Sequence, residues 1–161
     1  MCGINGIIGT ESGLEQTIEA MNDVLRNRGP DGDGTFVDKG VALGHRRLAI
    51  VDAANDAANQ PMISGRYVIT FNGEIYNHKV LREELEYHGV SFRTECDTEV
   101  LLEGYRIFGE DILKKLNGQF AFAIYDKDSG STFLARDRTA MKPLYFSLEN
   151  GWPIAFGATA L

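Results

Sequence analysis

Met1-Cys2-Gly3-Ile4 begins the chain and places a cysteine directly after the initiator methionine, at the head of a short apolar strand over residues 2–8. A small second residue normally permits removal of that methionine, which would leave Cys2 with a thiol and a free α-amine on one residue. An α-amine has a pKa of about 7.7–8.0, so its neutral fraction near physiological pH can act as the base for a neighbouring nucleophile. If Met1 is retained, the amine is blocked and the chain is a precursor. Position alone favours the other interpretation, that Cys2 is an incidental apolar residue that starts a strand.

Apolar periodicity divides the rest of the chain into short strands and a few helices. Residues 14–26 have the spacing of an amphipathic helix, and further helices are predicted over 79–88, ended by Gly89, and from Asp97 through Tyr105. The predicted strands beyond residue 8 are 35–37, 41–44, 67–71, 74–76, 120–126, 132–136, 144–147 and 154–156, with 48–52 as an extension of the sheet. Antiparallel hairpins together with a few helices predict an α+β layered domain.

Glycine-rich segments predict where these elements turn. Asp38-Lys39-Gly40 has the composition of a hairpin connection, and Asn72-Gly73 is a strong tight-turn signal between two strands. The segment from Arg28 to Gly34 contains proline and three glycines, so it is predicted to be a loop. Turns are also predicted at Asp128-Ser129-Gly130 and at Glu149-Asn150-Gly151.

Composition excludes several classes of function. The net charge of −7 argues against a protein that binds a nucleic-acid backbone, and no apolar stretch is long enough to span a membrane. The first residues lack the basic region of a signal peptide, and two cysteines do not form a disulfide framework, so a reduced cytoplasmic protein is expected. The three histidines show no metal-ligand spacing, which predicts no metal site.

Several motifs, each weak alone, follow one another in a specific order and spacing. They are Met1-Cys2-Gly3-Ile4, Arg28-Gly29-Pro30-Asp31-Gly32, Gly44-His45-Arg46-Arg47-Leu48-Ala49-Ile50-Val51-Asp52, Gln60-Pro61, Phe71-Asn72-Gly73-Glu74-Ile75-Tyr76-Asn77, Cys96-Asp97-Thr98-Glu99-Val100, Arg136-Asp137-Arg138 and Lys142-Pro143-Leu144-Tyr145. Over nearly its whole length the chain resembles the class II glutamine amidotransferase domains, which are N-terminal-nucleophile hydrolases. Among these it is similar to the N-terminal glutaminase domain of glutamine-dependent asparagine synthetases.

The resemblance implies a four-layer αββα sandwich and the hydrolysis of L-glutamine to glutamate and ammonia. Cys2 would attack the side-chain amide carbon with help from its own α-amine, and a thioester would form and then be hydrolysed. The oxyanion hole maps onto the side-chain amide of Asn72 and the backbone N–H of Gly73, where fixed donors would meet the developing charge. This step needs no cofactor, and ATP and Mg²⁺ are expected only in a synthetase domain that this chain lacks.

The same resemblance implies a pocket with one cation and one anion for the α-carboxylate and α-ammonium of glutamine. Arg47 is placed on the carboxylate, whose two oxygens suit a guanidinium fork, and Asp97 on the ammonium. The remaining implied contacts are Glu74 and the main chain near Ile50 and Val51.

Structural alternatives exist for several of these residues. Asp97 has the position of a helix N-cap, and an arginine such as Arg47 can instead form an ion pair at the protein surface. His45 is expected to be structural. Residues 28–34 have the composition of a plain connector, but the resemblance implies a loop that covers the glutamine site.

The chain departs from the family pattern in two segments near its C-terminus. Relatives usually carry Phe-Gly-Ile where this chain has Thr139-Ala140-Met141, and Ala-Ser-Glu where it has Gly157-Ala158-Thr159. If the missing glycine has a positive φ, Ala140 either costs about 1 kcal/mol or forces another loop shape. We expect these segments to border an exposed apolar patch. Residues 1–161 are expected to form a single domain without the family's last strands and without a synthetase domain.

Three functional hypotheses follow. The first is a glutaminase that supplies ammonia to a synthetase domain or subunit for asparagine synthesis or a similar amidation. The second is the glutaminase subunit of a glutamate-synthase-like complex, and the third is a catalytically silent module with a regulatory role. The expected partners are L-glutamine and the ammonia acceptor, with a homodimer left open and with neither nucleic acid nor membrane.

Overall fold

A computed structural model describes residues 1–9, 12–48, 58–149 and 152–158 of the chain. Its elements in chain order are β1 (Gly3–Ile8), α1 (Leu14–Val24), β2 (Gly32–Asp38), β3 (Val41–Arg47), β4 (Met62–Ser64), β5 (Tyr67–Ile75), α2 (His78–Tyr87), α3 (Asp97–Phe108), a 3-10 turn (Gly109–Asp111), α4 (Ile112–Lys115), β6 (Gly118–Asp126), β7 (Ser131–Arg136), β8 (Tyr145–Glu149) and β9 (Trp152–Gly157).

The described residues form two antiparallel sheets that pack face to face. One sheet has the strand order β2-β3-β1-β9-β8 and the other the order β4-β5-β6-β7. Helix α1 packs on β1 and β3, whereas α3 packs on β5 and α2 packs on α3. These contacts give four layers, helix-sheet-sheet-helix, which confirms the predicted αββα sandwich.

The centre of strand β5 is buried on both faces because it lies between two cores. Ile69, Phe71 and Ile75 pack toward α2 and α3, in a core that also contains Leu101 and Phe122. Val68, on the opposite face of the strand, packs between the two sheets. Successive side chains of a strand point to opposite faces, so Thr70 and Asn72 also face the other sheet.

The predicted tight turn at Asn72-Gly73 is wrong. Strand β5 continues through both residues, and it pairs Asn72 with Ala121 and Gly73 with Phe120 of β6. A Cβ atom on residue 73 would lie 2.3 Å from the carbonyl oxygen of Gln119 and 2.7 Å from the Cα of Phe120. The glycine is therefore required by the close approach of two strands, and not by a turn conformation.

Most other elements match the sequence predictions, with differences at their ends. The hairpin at Asp38-Lys39-Gly40 is confirmed, as is Gly89 in a left-handed conformation after α2. The predicted loop at 28–34 is wrong in its second half, because β2 already begins at Gly32. Leu48 lies beyond the end of β3, and residues 49–52 of the predicted extension are outside the described residues, as is the centre of the turn at 149–151.

The loop that follows β7 is organised around one buried carboxylate. Asp137 accepts hydrogen bonds from the backbone N–H groups of Phe120, Thr139, Met141 and Lys142, at 3.0–3.1 Å. Within this loop Ala140 has a φ of 55°, so of the two consequences considered for the missing glycine, the strained conformation is the one observed. An L-residue is strained in this left-handed conformation, so the hydrogen bonds to the carboxylate hold the loop against that strain.

We expect Ala140→Gly to raise the free energy of unfolding by about 0.5–1 kcal/mol, because glycine adopts a positive φ without a Cβ clash. Urea denaturation measures the change. The matched control is Ala20→Gly on the exposed face of α1, which should lower stability by about 1 kcal/mol. Destabilisation by both substitutions would contradict the account of this loop.

Candidate active site

One cavity of about 280 Å³ opens where β1, β3 and β5 meet the start of α3. It is at the small end of the range for ligand pockets, a size that suits a ligand no larger than an amino acid. Among its lining residues are Cys2, Arg47, Asn72, Gly73, Glu74 and Asp97. The structure therefore brings together six of the eight predicted site residues. The other two, Ile50 and Val51, lie outside the described residues.

The thiol of Cys2 is held at the end of the central strands. Because β1 pairs with β3, with Gly3 opposite Arg46, the residue before β1 lies beside the C-terminal end of β3. The backbone N–H of Leu48 donates to the Cys2 sulfur at 3.4 Å. The thiol is free and half-buried on the cavity wall.

Met1 shares this cavity with the candidate nucleophile. Its side chain is 56% exposed, and its sulfur accepts a hydrogen bond from the Nζ of Lys142 at 3.1 Å. While Met1 is attached, the nitrogen of Cys2 is an amide in the Met1–Cys2 peptide bond and not a free α-amine. With Met1 in place, the chain therefore has the thiol of the predicted nucleophile but not its predicted base.

Asn72 presents an unpaired donor to the cavity. Its side chain faces the other sheet, is 2% exposed, and has an Nδ2 atom without a hydrogen-bond partner among the described residues. Thr70, two residues earlier on the same face, donates to the carbonyl of Gly44. A buried donor without an acceptor is costly, so the Asn72 amide is set for an oxygen that a ligand supplies.

The backbone N–H of Gly73 faces the same region. The N–H of Phe71 donates to the Oε1 of Gln60 at 2.6 Å, and the N–H of Ile75 donates to the Oδ2 of Asp97 at 2.8 Å. Alternate N–H groups of a strand point the same way, away from β6 in this case. The Gly73 N–H therefore points to the cavity side of β5, between those two acceptors.

Asp97 is not the N-cap of α3, which corrects that alternative. Cys96 occupies the cap position, and Asp97 is the first helical residue. Burial raises the pKa of the Asp97 carboxyl, although the hydrogen bond from Ile75 and the charge of His78 act in the opposite direction. A carboxylate that loses solvation in this way is stabilised by a cation that enters the cavity.

Arg47 ends β3 and lines the same cavity. Its Nη1 donates to the Oδ1 of Asn59 at 2.7 Å, which orients one side of the guanidinium. The cavity thus has a guanidinium and a partly desolvated carboxylate on separate elements, β3 and α3. This arrangement has the charges that a free amino acid requires.

Residues 1–160 match the family described as "Glutamine amidotransferase domain". The chain belongs to this family. That membership confirms the resemblance seen in the sequence. Each described helix falls short of the length and apolarity that a membrane span requires.

The curated relatives of this amidotransferase domain include asparagine synthetases. Asparagine synthetase [glutamine-hydrolyzing] 1 of Bacillus subtilis is 43% identical over 155 residues, which are 93% of this chain and 24% of the relative. Asparagine synthetase [glutamine-hydrolyzing] 3 of the same organism is 41% identical, over 98% of this chain and 26% of the relative. The chain therefore spans about a quarter of the length of these relatives.

A solved structure with the same fold is the glutamine phosphoribosylpyrophosphate amidotransferase of B. subtilis, complexed with ADP and GMP. The TM-score is 0.81 at 24% sequence identity, over 98% of this chain and 42% of that chain. The likeness supports the sandwich architecture of the amidotransferase domain.

His45 lies on the cavity wall of the amidotransferase domain without a charge. It is 2% exposed, and burial lowers its pKa to about 3; a hydrogen bond to the main chain of Phe71 opposes this shift, and the charge of Arg47 adds to it. The imidazole is therefore neutral throughout the physiological range. Its Nε2 atom has no hydrogen-bond partner among the described residues.

Two further residues of the cavity wall were not assigned a role from the sequence. Gln60 accepts from the N–H of Phe71 and donates to the Oγ1 of Thr98 at 3.1 Å, so it ties β5 to the start of α3. Lys142 brings a second cation to the wall, next to Met1. Both occur in quoted motifs, but their contacts join residues that are far apart in sequence. Across the described ranges, no group of three or more His, Cys, Asp or Glu side chains is arranged to hold a metal ion.

We expect Asp97→Asn to preserve or raise the free energy of unfolding at pH 7. The folded-state pKa is raised, so ionisation of Asp97 costs stability as the pH rises through the interval between the unfolded and folded values. The difference in free energy of unfolding between Asp97→Asn and the parent should therefore shrink below about pH 4, near the ordinary pKa of aspartate. Urea unfolding at both pH values measures it.

Asp137→Asn is the control of opposite sign. Burial raises the pKa of Asp137, but hydrogen bonds from Lys142, Thr139, Met141 and Phe120 outweigh burial and hold the pKa well below its usual range. This carboxylate stabilises the fold at neutral pH, so its loss should destabilise the domain. Equal destabilisation by Asp97→Asn would contradict the desolvated state assigned to Asp97.

Proposed function

We propose that this domain hydrolyses L-glutamine to glutamate and ammonia through a thioester on Cys2, after removal of Met1. The observation that carries the proposal is the unpaired amide donor of Asn72 in the same cavity as the Cys2 thiol. Fixed donors beside a nucleophile are the arrangement that stabilises a tetrahedral oxyanion. The family and the asparagine synthetase relatives support the same reaction.

In the first half of the reaction, the α-amine of Cys2 takes the proton of the thiol. The sulfur forms a bond to the side-chain amide carbon of glutamine, and the carbonyl oxygen becomes an oxyanion. The Nδ2–H of Asn72 and the backbone N–H of Gly73 donate to that oxygen. The protonated amine then gives its proton to the amide nitrogen, the carbon–nitrogen bond breaks, and ammonia leaves.

In the second half, water replaces the thiol as the nucleophile. The amine of Cys2 takes a proton from water as the oxygen attacks the thioester carbon, and the same two donors bind the second oxyanion. The carbon–sulfur bond breaks and the sulfur recovers a proton, which releases glutamate. Every group in this cycle belongs to the protein, the substrate or water, so we propose that the glutaminase step needs no cofactor.

The two charged walls of the cavity would select free glutamine. Arg47 would bind the α-carboxylate and Asp97 the α-ammonium, whose charge offsets the desolvation that raises the Asp97 pKa. Glu74 also lines the cavity, and we keep it, with the main chain near Ile50 and Val51, as a proposed contact. A free thiol nucleophile requires reducing conditions, which agrees with a cytoplasmic location.

We further propose that the ammonia passes to an ATP-dependent synthetase domain or subunit. The relatives are asparagine synthetases, which favours asparagine synthesis over a glutamate-synthase-like complex. Met141, Tyr145, Phe146 and Leu148 are exposed apolar residues near the altered segments, and they would contact that partner or a second copy of the chain. Ala158 is instead fully buried, and its N–H donates a hydrogen bond to the carbonyl of Ile4. It is therefore not part of this exposed apolar surface.

The nucleophile is tested with protein whose loss of Met1 is verified by intact mass. This protein should release glutamate and ammonia in equal amounts from glutamine, without ATP or aspartate. Cys2→Ala should abolish both products and block labelling by a glutamine-mimicking electrophile. Cys96→Ser is the matched control, because burial raises the pKa of the Cys96 thiol and keeps it unreactive. Normal turnover by protein that retains Met1 would exclude the α-amine as base.

Asn72→Ala should lower kcat by roughly 10²–10³-fold with a smaller effect on KM, because the lost donor acts on the transition state. Asp97→Asn should instead raise KM, since it removes the anion for the substrate ammonium. Asn77→Ala is the control, because its amide bonds to the main chain of Lys115 outside the cavity. An unchanged kcat in Asn72→Ala would remove this residue from the oxyanion role.

A further inference from the structure

Lys142 is a buried cation that forms no ion pair with the described residues. The residue is 9% exposed and lies on the wall of the cavity that contains Cys2. Among the described residues, its ammonium has one hydrogen-bond partner, the thioether sulfur of Met1 at 3.1 Å, and no carboxylate within salt-bridge distance. A thioether is a weak acceptor, and lysines are rarely buried unless they are paired. Fold stability alone does not account for a lysine at this place.

The position of Lys142 is fixed from both sides of its backbone. Its N–H donates to the Oδ2 of Asp137 at 3.0 Å, and Pro143 follows it. The same carboxylate oxygen accepts from the N–H of Phe120, which pairs with Gly73 across β5 and β6. One carboxylate thus sets the place of Lys142 relative to the strand that presents the proposed oxyanion donors.

The contact between Lys142 and Met1 disappears when Met1 is removed. The sulfur that accepts the hydrogen bond belongs to the residue joined to the nitrogen of Cys2. In the processed chain the ammonium of Lys142 therefore loses this partner, and the α-amine of Cys2 becomes free on the wall of the same cavity. The ammonium of Lys142 and the α-amine that must accept a proton then share one cavity.

We propose that Lys142 is a positioning residue for the base of the reaction, whose ammonium keeps the α-amine of processed Cys2 in its neutral form. The inference rests on the proposed glutaminase function. A neighbouring like charge disfavours the protonated amine, and only the neutral amine can take the thiol proton. An ordinary α-amine has a pKa of about 7.7–8.0 and is mostly protonated at neutral pH, so this effect raises the active fraction of the enzyme.

The other charges of the cavity do not replace this effect. The remaining titratable side chains on its wall are Cys2, His45, Arg47, Glu74, Cys96 and Asp97. The imidazole of His45 is neutral, and burial raises the pKa of the Cys96 thiol, so neither carries charge at neutral pH. Arg47 and Asp97 would be neutralised by bound glutamine, whereas Lys142 has no counterpart on the substrate. Glu74 is exposed, so solvent screens its charge.

The test is the pH dependence of kcat at saturating glutamine, measured on protein whose loss of Met1 is verified by mass. The parent should have an acid limb below the ordinary α-amine range of about 7.7–8.0. Lys142→Met should move this limb upward by roughly 0.5–1 pH unit, and Lys142→Arg should restore it. High salt should raise the limb of the parent but not that of Lys142→Met, because salt screens the repulsion.

Met141→Leu is the matched control, since the side chain before Lys142 is exposed and should leave the limb unmoved. An acid limb of kcat that does not move in Lys142→Met would overturn the inference. If KM rises at the same time, Lys142 is a substrate contact instead. If Lys142→Met does not fold, the parent alone still tests the inference. Its acid limb should lie below the ordinary α-amine range and should rise in high salt. A processed parent without glutaminase activity would instead refute the proposed function itself.

Discussion

The close pairing of β5 with β6 at Gly73 is the contact on which the candidate site depends. A side chain at residue 73 would strike the main chain of Gln119 and Phe120, so the strands approach this closely only because the residue is glycine. From this pairing, the N–H of Phe120 reaches Asp137, and Asp137 fixes Lys142. On the free edge of β5, the N–H of Ile75 reaches Asp97. One strand thus positions groups on both sides of the cavity.

The cavity combines features that are costly without a ligand. Asn72 has a buried donor without an acceptor, and Asp97 has a carboxyl whose pKa is raised by burial. A different part of glutamine would compensate each feature. Its amide oxygen would accept from the Asn72 amide, and its α-ammonium would offset the desolvation of the Asp97 carboxylate. Stability given up at such positions is the usual signature of a binding site, because the surrounding sandwich is well packed and can support it.

Periodicity and turn chemistry predicted most of this fold, because those signals are local. The strand at 2–8, helix α1 and the hairpin at 38–40 all follow from residues within one element. The Asn72-Gly73 prediction failed because a local turn signal was overridden by pairing with Ala121 and Phe120 of β6, which are distant in sequence. The short α4 was not predicted, since four residues have too little periodicity to identify a helix.

The resemblance to a family predicted which residues belong to the cavity, and the described ones do line it. What the sequence does not contain is the network between them: Gln60 bridging Phe71 and Thr98, and Lys142 beside Met1, are contacts across the fold. The central claim is a covalent glutamyl thioester on Cys2. Acid quenching of processed protein during turnover, followed by peptide mapping by mass spectrometry, tests it most directly. The account predicts one glutamyl group on the peptide that begins with Cys2. Turnover with no glutamyl group there, or with one on Cys96, would contradict it.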